Sequence, residues 1–230
     1  MKRSNAMTQH VTRRNFFRSL GAGIASVVAA PQSLAQANSV VQEASPKNNW
    51  SETEEWFKKI KGTHRMVYDA TSIHDGFSIV WSWVFLDSNH KTGSKDEDLT
   101  SIVVFRHNAF ALALNDEIWS TYKLGKLLKI AERSSGIPVT KNQYWDLPQG
   151  FLPESDMSIK TLMERGVMFC VCDRSLSVNS AMVARNRNLK AEKVKEEWID
   201  GLLPGVQVVP SGVWAINRAQ EHGCSYCFAG

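Results

Sequence analysis

Four cysteines, Cys170, Cys172, Cys224 and Cys227, stand in the last third of the chain and have the widest covalent chemistry of any of its side chains. Cys172 ends the apolar run Val167-Met168-Phe169-Cys170-Val171-Cys172 and precedes the polar turn Asp173-Arg174-Ser175. Such a run suits a central strand covered on both faces, and the carboxyl end of such a strand is where open α/β sheets place their binding crevices. A cysteine at that position is a candidate nucleophile. A helix beginning near Ser177 would aim its N-terminus at the thiol and, with Arg174, would favour the reactive thiolate. The competing reading is a buried cysteine acting as a small hydrophobe. Cys170 shares the face but lies roughly 6.5 Å deeper along the strand, and it reads as core.

Other reactive groups give weaker patterns. Cys224-Ser225-Tyr226-Cys227 has the C-x-x-C spacing of redox and zinc sites, yet it falls in a strand, and zinc would need two further ligands from elsewhere. One of its cysteines would face inward and the other outward. An even cysteine count in an oxidising compartment permits disulfides, although the strand geometry argues against local pairs. His107 and Asn108 follow the second expected strand at the same sheet edge as Cys172, where the histidine could orient a substrate or accept a proton. An ordinary turn histidine is the alternative. The chain has no G-x-G-x-x-G after its first strand, no P-loop, no G-x-S-x-G and no H-E-x-x-H. Residue patterns therefore point to no metal and no organic cofactor.

The elements that must position these residues alternate short β-branched or aromatic runs with longer amphipathic stretches, which predicts βα units on a mainly parallel sheet. Strands are expected at His64–Asp69, Thr100–Phe105, Val167–Cys172, Val206–Pro210 and Cys224–Phe228, and helices open near Gly76, Asn115-Asp116, Met157 and Val213. The charged stretch from Asn186 to Leu203 is also expected to be helical. Residues 131–155 interrupt this rhythm with several Pro and Gly and carry Tyr144-Trp145. So long a connection is a lid, a binding loop or an interface element, or else a surface loop whose aromatics pack on their own domain.

The first 37 residues say where the protein would work. Thr12-Arg13-Arg14-Asn15-Phe16-Phe17-Arg18, an apolar run from Leu20 to Ala30 and the small residues Ser33-Leu34-Ala35-Gln36-Ala37 read as a twin-arginine signal peptide. The apolar run, at about eleven residues, falls well short of the roughly 20 that span a bilayer. Residues 38–50 follow as a flexible tether and 51–230 as one α/β domain. Without residues 1–37 the charge changes from +4 to −1, because five basic residues and no acidic one leave with them. The sequence pI of about 8.9 thus belongs to the leader and is no nucleic-acid footprint. The mature chain is expected to be periplasmic or otherwise exported, without stable membrane insertion.

Three segments together carry a family likeness: Gly166-Val167-Met168-Phe169-Cys170-Val171-Cys172-Asp173-Arg174-Ser175-Leu176, Leu203-Pro204-Gly205-Val206-Gln207-Val208-Val209-Pro210-Ser211-Gly212-Val213 and Gln220-Glu221-His222-Gly223-Cys224-Ser225-Tyr226. With Val103-Val104-Phe105-Arg106-His107, they make the chain resemble the DsrE/DsrF-like family from His64 onward. Asn108 departs from the glycine usual after that histidine. The resemblance implies a three-layer, flavodoxin-like α/β open sheet of about five mainly parallel strands and a homo- or hetero-oligomer. It also implies a sulfur carrier, possible sulfurtransferase-like chemistry and a persulfide on Cys172, exchanged with sulfur donor and acceptor proteins. Arg174, Ser175, His107 and Asn108 would then shape or activate the pocket, and Tyr144 and Trp145 would serve as lid or interface. Two other readings remain: a non-catalytic binding or assembly module of the same fold, and a dithiol redox protein pairing Cys172 with Cys224 or Cys227.

Overall fold

A computed structural model describes residues 50–230 apart from 133, 148–150, 153 and 155. The Arg13-Arg14 segment, the expected cleavage region and all of the expected tether but Trp50 lie outside the described residues. Five strands form one sheet: β1 (His64–Ala70), β2 (Leu99–Phe105), β3 (Met168–Cys172), β4 (Gln207–Val209) and β5 (Ser225–Phe228). Every pairing is parallel and the order is β4-β3-β2-β1-β5. The fold is the expected three-layer α/β sheet, with the strand beyond β1 being the fifth in sequence where flavodoxin has its second.

Helices cover both faces, unequally. One face carries α2 (Phe77–Lys91), α3 (Asp116–Tyr122), α4 (Leu124–Leu128), α5 (Ile159–Glu164), α6 (Asp173–Arg187) and α7 (Ala191–Asp200); the other carries α1 (Trp50–Phe57) and α8 (Gly212–Glu221). Strand alternation sends Tyr68, Val103, Phe105, Phe169 and Val171 into the larger core and Val67, Ile102, Val104 and Cys170 into the smaller one. In the larger core Phe110 and Trp198 stack at 5.1 Å, with Tyr122 edge-on to Trp198. Each such fully buried apolar side chain contributes about 1.5–3 kcal/mol.

Where the elements differ from expectation, local conformation gives the reason. The helix from Asp116 is two helices, because Lys123 takes a left-handed conformation (φ 53, ψ 48) that ends the first. Asn188 (φ 54) separates α6 from α7 in the same way, so Asn186 belongs to α6 and not to the charged helix after it. The most consequential difference is at Asp173. The expected turn 173–175 is instead the first turn of α6, which starts directly after β3 with Cys172 as its N-cap.

Candidate functional site

Cys172 occupies two structural roles at once, last residue of β3 and cap of a 15-residue helix. Its Sγ accepts the backbone N–H of Ser175 at 3.3 Å, the bond a cap serine or aspartate would otherwise receive. The thiol is therefore held on the axis of α6, at the end where the peptide dipoles favour negative charge. Its residue is 5% exposed.

The neighbouring strand brings a cation. Phe105 pairs with Val171 in the β2–β3 register, so one step further Arg106 comes beside Cys172. Arg106 is anchored from the other side: Nε donates to Asp69 Oδ1 at 2.5 Å and Nη2 to Oδ2 at 2.8 Å. Tyr226 on β5 donates its hydroxyl to the same Oδ2 at 3.0 Å. Asp69 is only 2% exposed. Tyr226, Asp69, Arg106 and Cys172 thus form a polar row across four strands at the carboxyl edge of the smaller-core face. The bonded Asp69 carboxylate holds the Arg106 guanidinium above its ordinary range; burial opposes this, and Cys172 adds the smallest contribution. Burial, then the bond to Asp69, raises the Tyr226 hydroxyl.

The N-terminus of α8 closes over this row. A Cβ on Gly212 would stand 2.7 Å from Arg106 Cδ, so only glycine lets the helix come this near the arginine stem. Ser211 caps α8 by accepting the Trp214 N–H.

The residues expected around the thiol divide between several places. Ser175 is central: its N–H caps to the thiol while its Oγ accepts the His107 N–H at 2.8 Å. That contact ties the loop after β2 to the start of α6, with His107 in a left-handed conformation (φ 49). His107 contributes its backbone; its ring is exposed. Asn108 donates its N–H to Thr71 O and is exposed. Arg174 is exposed on α6, and the arginine whose charge couples to Cys172 is Arg106. Asp173, beside the thiol, is buried in a 2.8 Å ion pair with Lys195 of α7.

Tyr144 is part of the larger core, its ring against Gly76 and edge-on to Phe151 at 5.5 Å. Buried Asn142 fastens this segment by donating to Leu112 O and Leu114 O, and Trp145 is half-buried nearby. Tyr144 and Trp145 pack on their own domain.

The remaining thiols are set apart. Cys170 is fully buried and desolvation pushes its thiol well up. Burial lifts Cys224 to about 11, with Arg65 opposing. Cys227 faces the larger core from the opposite side of β5. All four are free. Cys172 and the β5 pair are separated by three strand spacings, about 14 Å, whereas bridged Cα atoms lie within about 7 Å. The dithiol pairing of Cys172 with Cys224 or Cys227 is thereby corrected, since the sheet would have to come apart to form it. Among the described residues no three His, Cys, Asp or Glu side chains are grouped to hold a metal ion, and no helix is long and apolar enough to cross a membrane.

Sequence reasoning missed Arg106, Asp69, Tyr226 and Gly212. A signal existed for two of them, a charge at the end of each of two apolar strands, Asp69 after Val67-Tyr68 and Arg106 after Val104-Phe105.

Comparison with protein-family models gives no match, and comparison with curated proteins gives none. Among solved structures the chain is similar to one described as a protein of unknown function from Methanobacterium thermoautotrophicum, at 18% identity and a TM-score of 0.39, covering 72% of this chain and 98% of that one.

Proposed function

We propose that the protein is an exported, DsrE/DsrF-like sulfur carrier that takes up sulfane sulfur as a persulfide on Cys172. The observation that supports this reading most is the Cys172 Sγ at the cap of α6, accepting the Ser175 N–H with Arg106 alongside. The sulfur is thereby held beside a donor N–H and a guanidinium, a setting that suits a nucleophilic sulfur. Attack on the outer sulfur of a donor R–S–SH joins Cys172 Sγ to that sulfur and breaks the donor S–S bond. The released R–S⁻ takes a proton from water, so sulfur moves without net oxidation. An acceptor thiolate reverses the step. Tyr226 and Asp69 are positioning residues that hold Arg106 in place.

The test is intact mass after exposure to a persulfide donor and removal of excess reagent. A reducible gain of one sulfur atom is expected, absent from Cys172→Ser; a variant that still transfers sulfur overturns the reading.

A binding or assembly module is the second reading, favoured by surface chemistry. The first half of helix α2 leaves Phe77 and Trp81 exposed, their rings 5.6 Å apart, while β5 exposes Tyr226 and Phe228 at a free sheet edge. Exposed sheet edges and apolar patches of this kind are normally covered. An oligomer that persists in Cys172→Ser, with a thiol that stays unreactive, would establish this reading in place of the carrier.

A further inference from the structure

Open α/β sheets bind ligands outside the carboxyl ends of their strands. A cavity of about 220 Å³ lies beyond the carboxyl ends of β1 and β2, walled by Ile73, His74 and Asp75 after β1, Asn108 after β2, and Ile130 and Tyr144. A second cavity of about 320 Å³ shares Asp75, Ile130 and Tyr144 with it and extends to Glu132, Gln143 and Phe151. For scale, an apolar cavity of about 150 Å³ accepts benzene.

The backbone at this place is unusual. His74 (φ 46), Asp75 (φ 52) and Gly76 (φ 89) are three consecutive left-handed residues, and His107 (φ 49) precedes Asn108 across the crevice. Non-glycine residues in that conformation gather at ligand clamps and active sites. Asp75 is exposed and lines both cavities with Ile130 and Tyr144, and Gly76 gives the Tyr144 ring room.

The lining selects a ligand class. Its apolar part is Ile73, Ile130, Tyr144 and Phe151, with the two rings edge-on at 5.5 Å. Its titratable side chains are the carboxylates of Asp75, common to both cavities, and Glu132, with the His74 imidazole in the first cavity, and among the described residues no lysine or arginine lines either. We infer that this crevice binds a small primary amine with an apolar body, its ammonium at Asp75 and its body against Ile130, Tyr144 and Phe151. Carboxylate and aromatic faces both attract an ammonium. This site is separate from Cys172, and the inference stands whether or not that thiol carries sulfur.

The test compares three probes sharing one ring: 2-phenylethylamine, neutral 2-phenylethanol and anionic phenylacetate, titrated into isotopically labelled protein and followed by backbone amide shifts. The amine is expected to bind about fivefold more tightly than the alcohol, with shifts at Asp75, Asn108 and Ile130. Asp75→Asn removes the charge while keeping a residue that accepts the left-handed conformation. It is expected to erase the amine's advantage and leave the alcohol unchanged. Equal binding of amine and alcohol, preference for phenylacetate, an advantage that survives Asp75→Asn, shifts confined to other regions, or no saturable shift up to about 10 mM would each overturn the inference.

Discussion

The two faces of the sheet are held by different means. Under α2–α7 lies a deep apolar core in which Phe105, Phe110, Phe169 and Trp198 are almost wholly buried. Beneath α1 and α8 the core is thinner, and at its carboxyl edge packing gives way to the Tyr226–Asp69–Arg106 row ending at Cys172. Apolar volume dominates the first face, where the buried Asp173–Lys195 pair is the exception, while on the second a buried carboxylate is held by Arg106 and Tyr226. Cys172 is placed where the fold uses charge to hold itself together.

The largest effects should separate these two means of support. Phe169→Ala is expected to cost about 3–5 kcal/mol by leaving a cavity. Arg106→Met is expected to cost a similar amount, about 3–5 kcal/mol, by stranding Asp69. Urea unfolding distinguishes them through a second substitution: adding Asp69→Asn to Arg106→Met should restore most of that loss and none of the Phe169→Ala loss. If the double variant is no more stable than Arg106→Met alone, the charge-based account of the thinner face fails.

A smaller contrast lies within one strand. Cys170→Ser buries a hydroxyl without a partner and is expected to cost about 1–3 kcal/mol. Cys172→Ser substitutes one cap residue for a better one and should change stability by less than about 1 kcal/mol. Equal losses in thermal or urea unfolding would contradict the cap.

The last is a titration effect. Burial holds the Cys224 thiol at about 11 against an ordinary 9.0. The unfolded chain gives up that proton first, so stability present below pH 9 declines as pH rises through about 11. Replacing Cys224 by Ala should flatten this decline in unfolding measured across that window.

The sheet was legible because each strand is a compact β-branched or aromatic run, and Cys172 was legible as the end of the most apolar of them. The start of α6 was not, since Asp173-Arg174-Ser175 has the composition of a turn as much as of a helix's first residues. Nothing local marks Cys172 as the cap until the strand and helix are joined. The Asp69, Arg106 and Tyr226 contacts were hidden differently: three strands far apart in sequence meet only through the β5-β1-β2 order, which spacing along the chain does not encode. Tyr144 and Trp145 were visible as aromatics, but their inward packing depends on Asn142 reaching Leu112 and Leu114.

Because Cys172 caps α6, its sulfur is a structural joint, and under the proposed function a reagent as well. Adding a second sulfur extends the side chain by about 2 Å and moves its charge outward, away from the Ser175 N–H. Cargo at this thiol would therefore register in the melting temperature and in amide exchange over the first turn of α6. The protein would carry a gauge of its own occupancy, readable without any partner present.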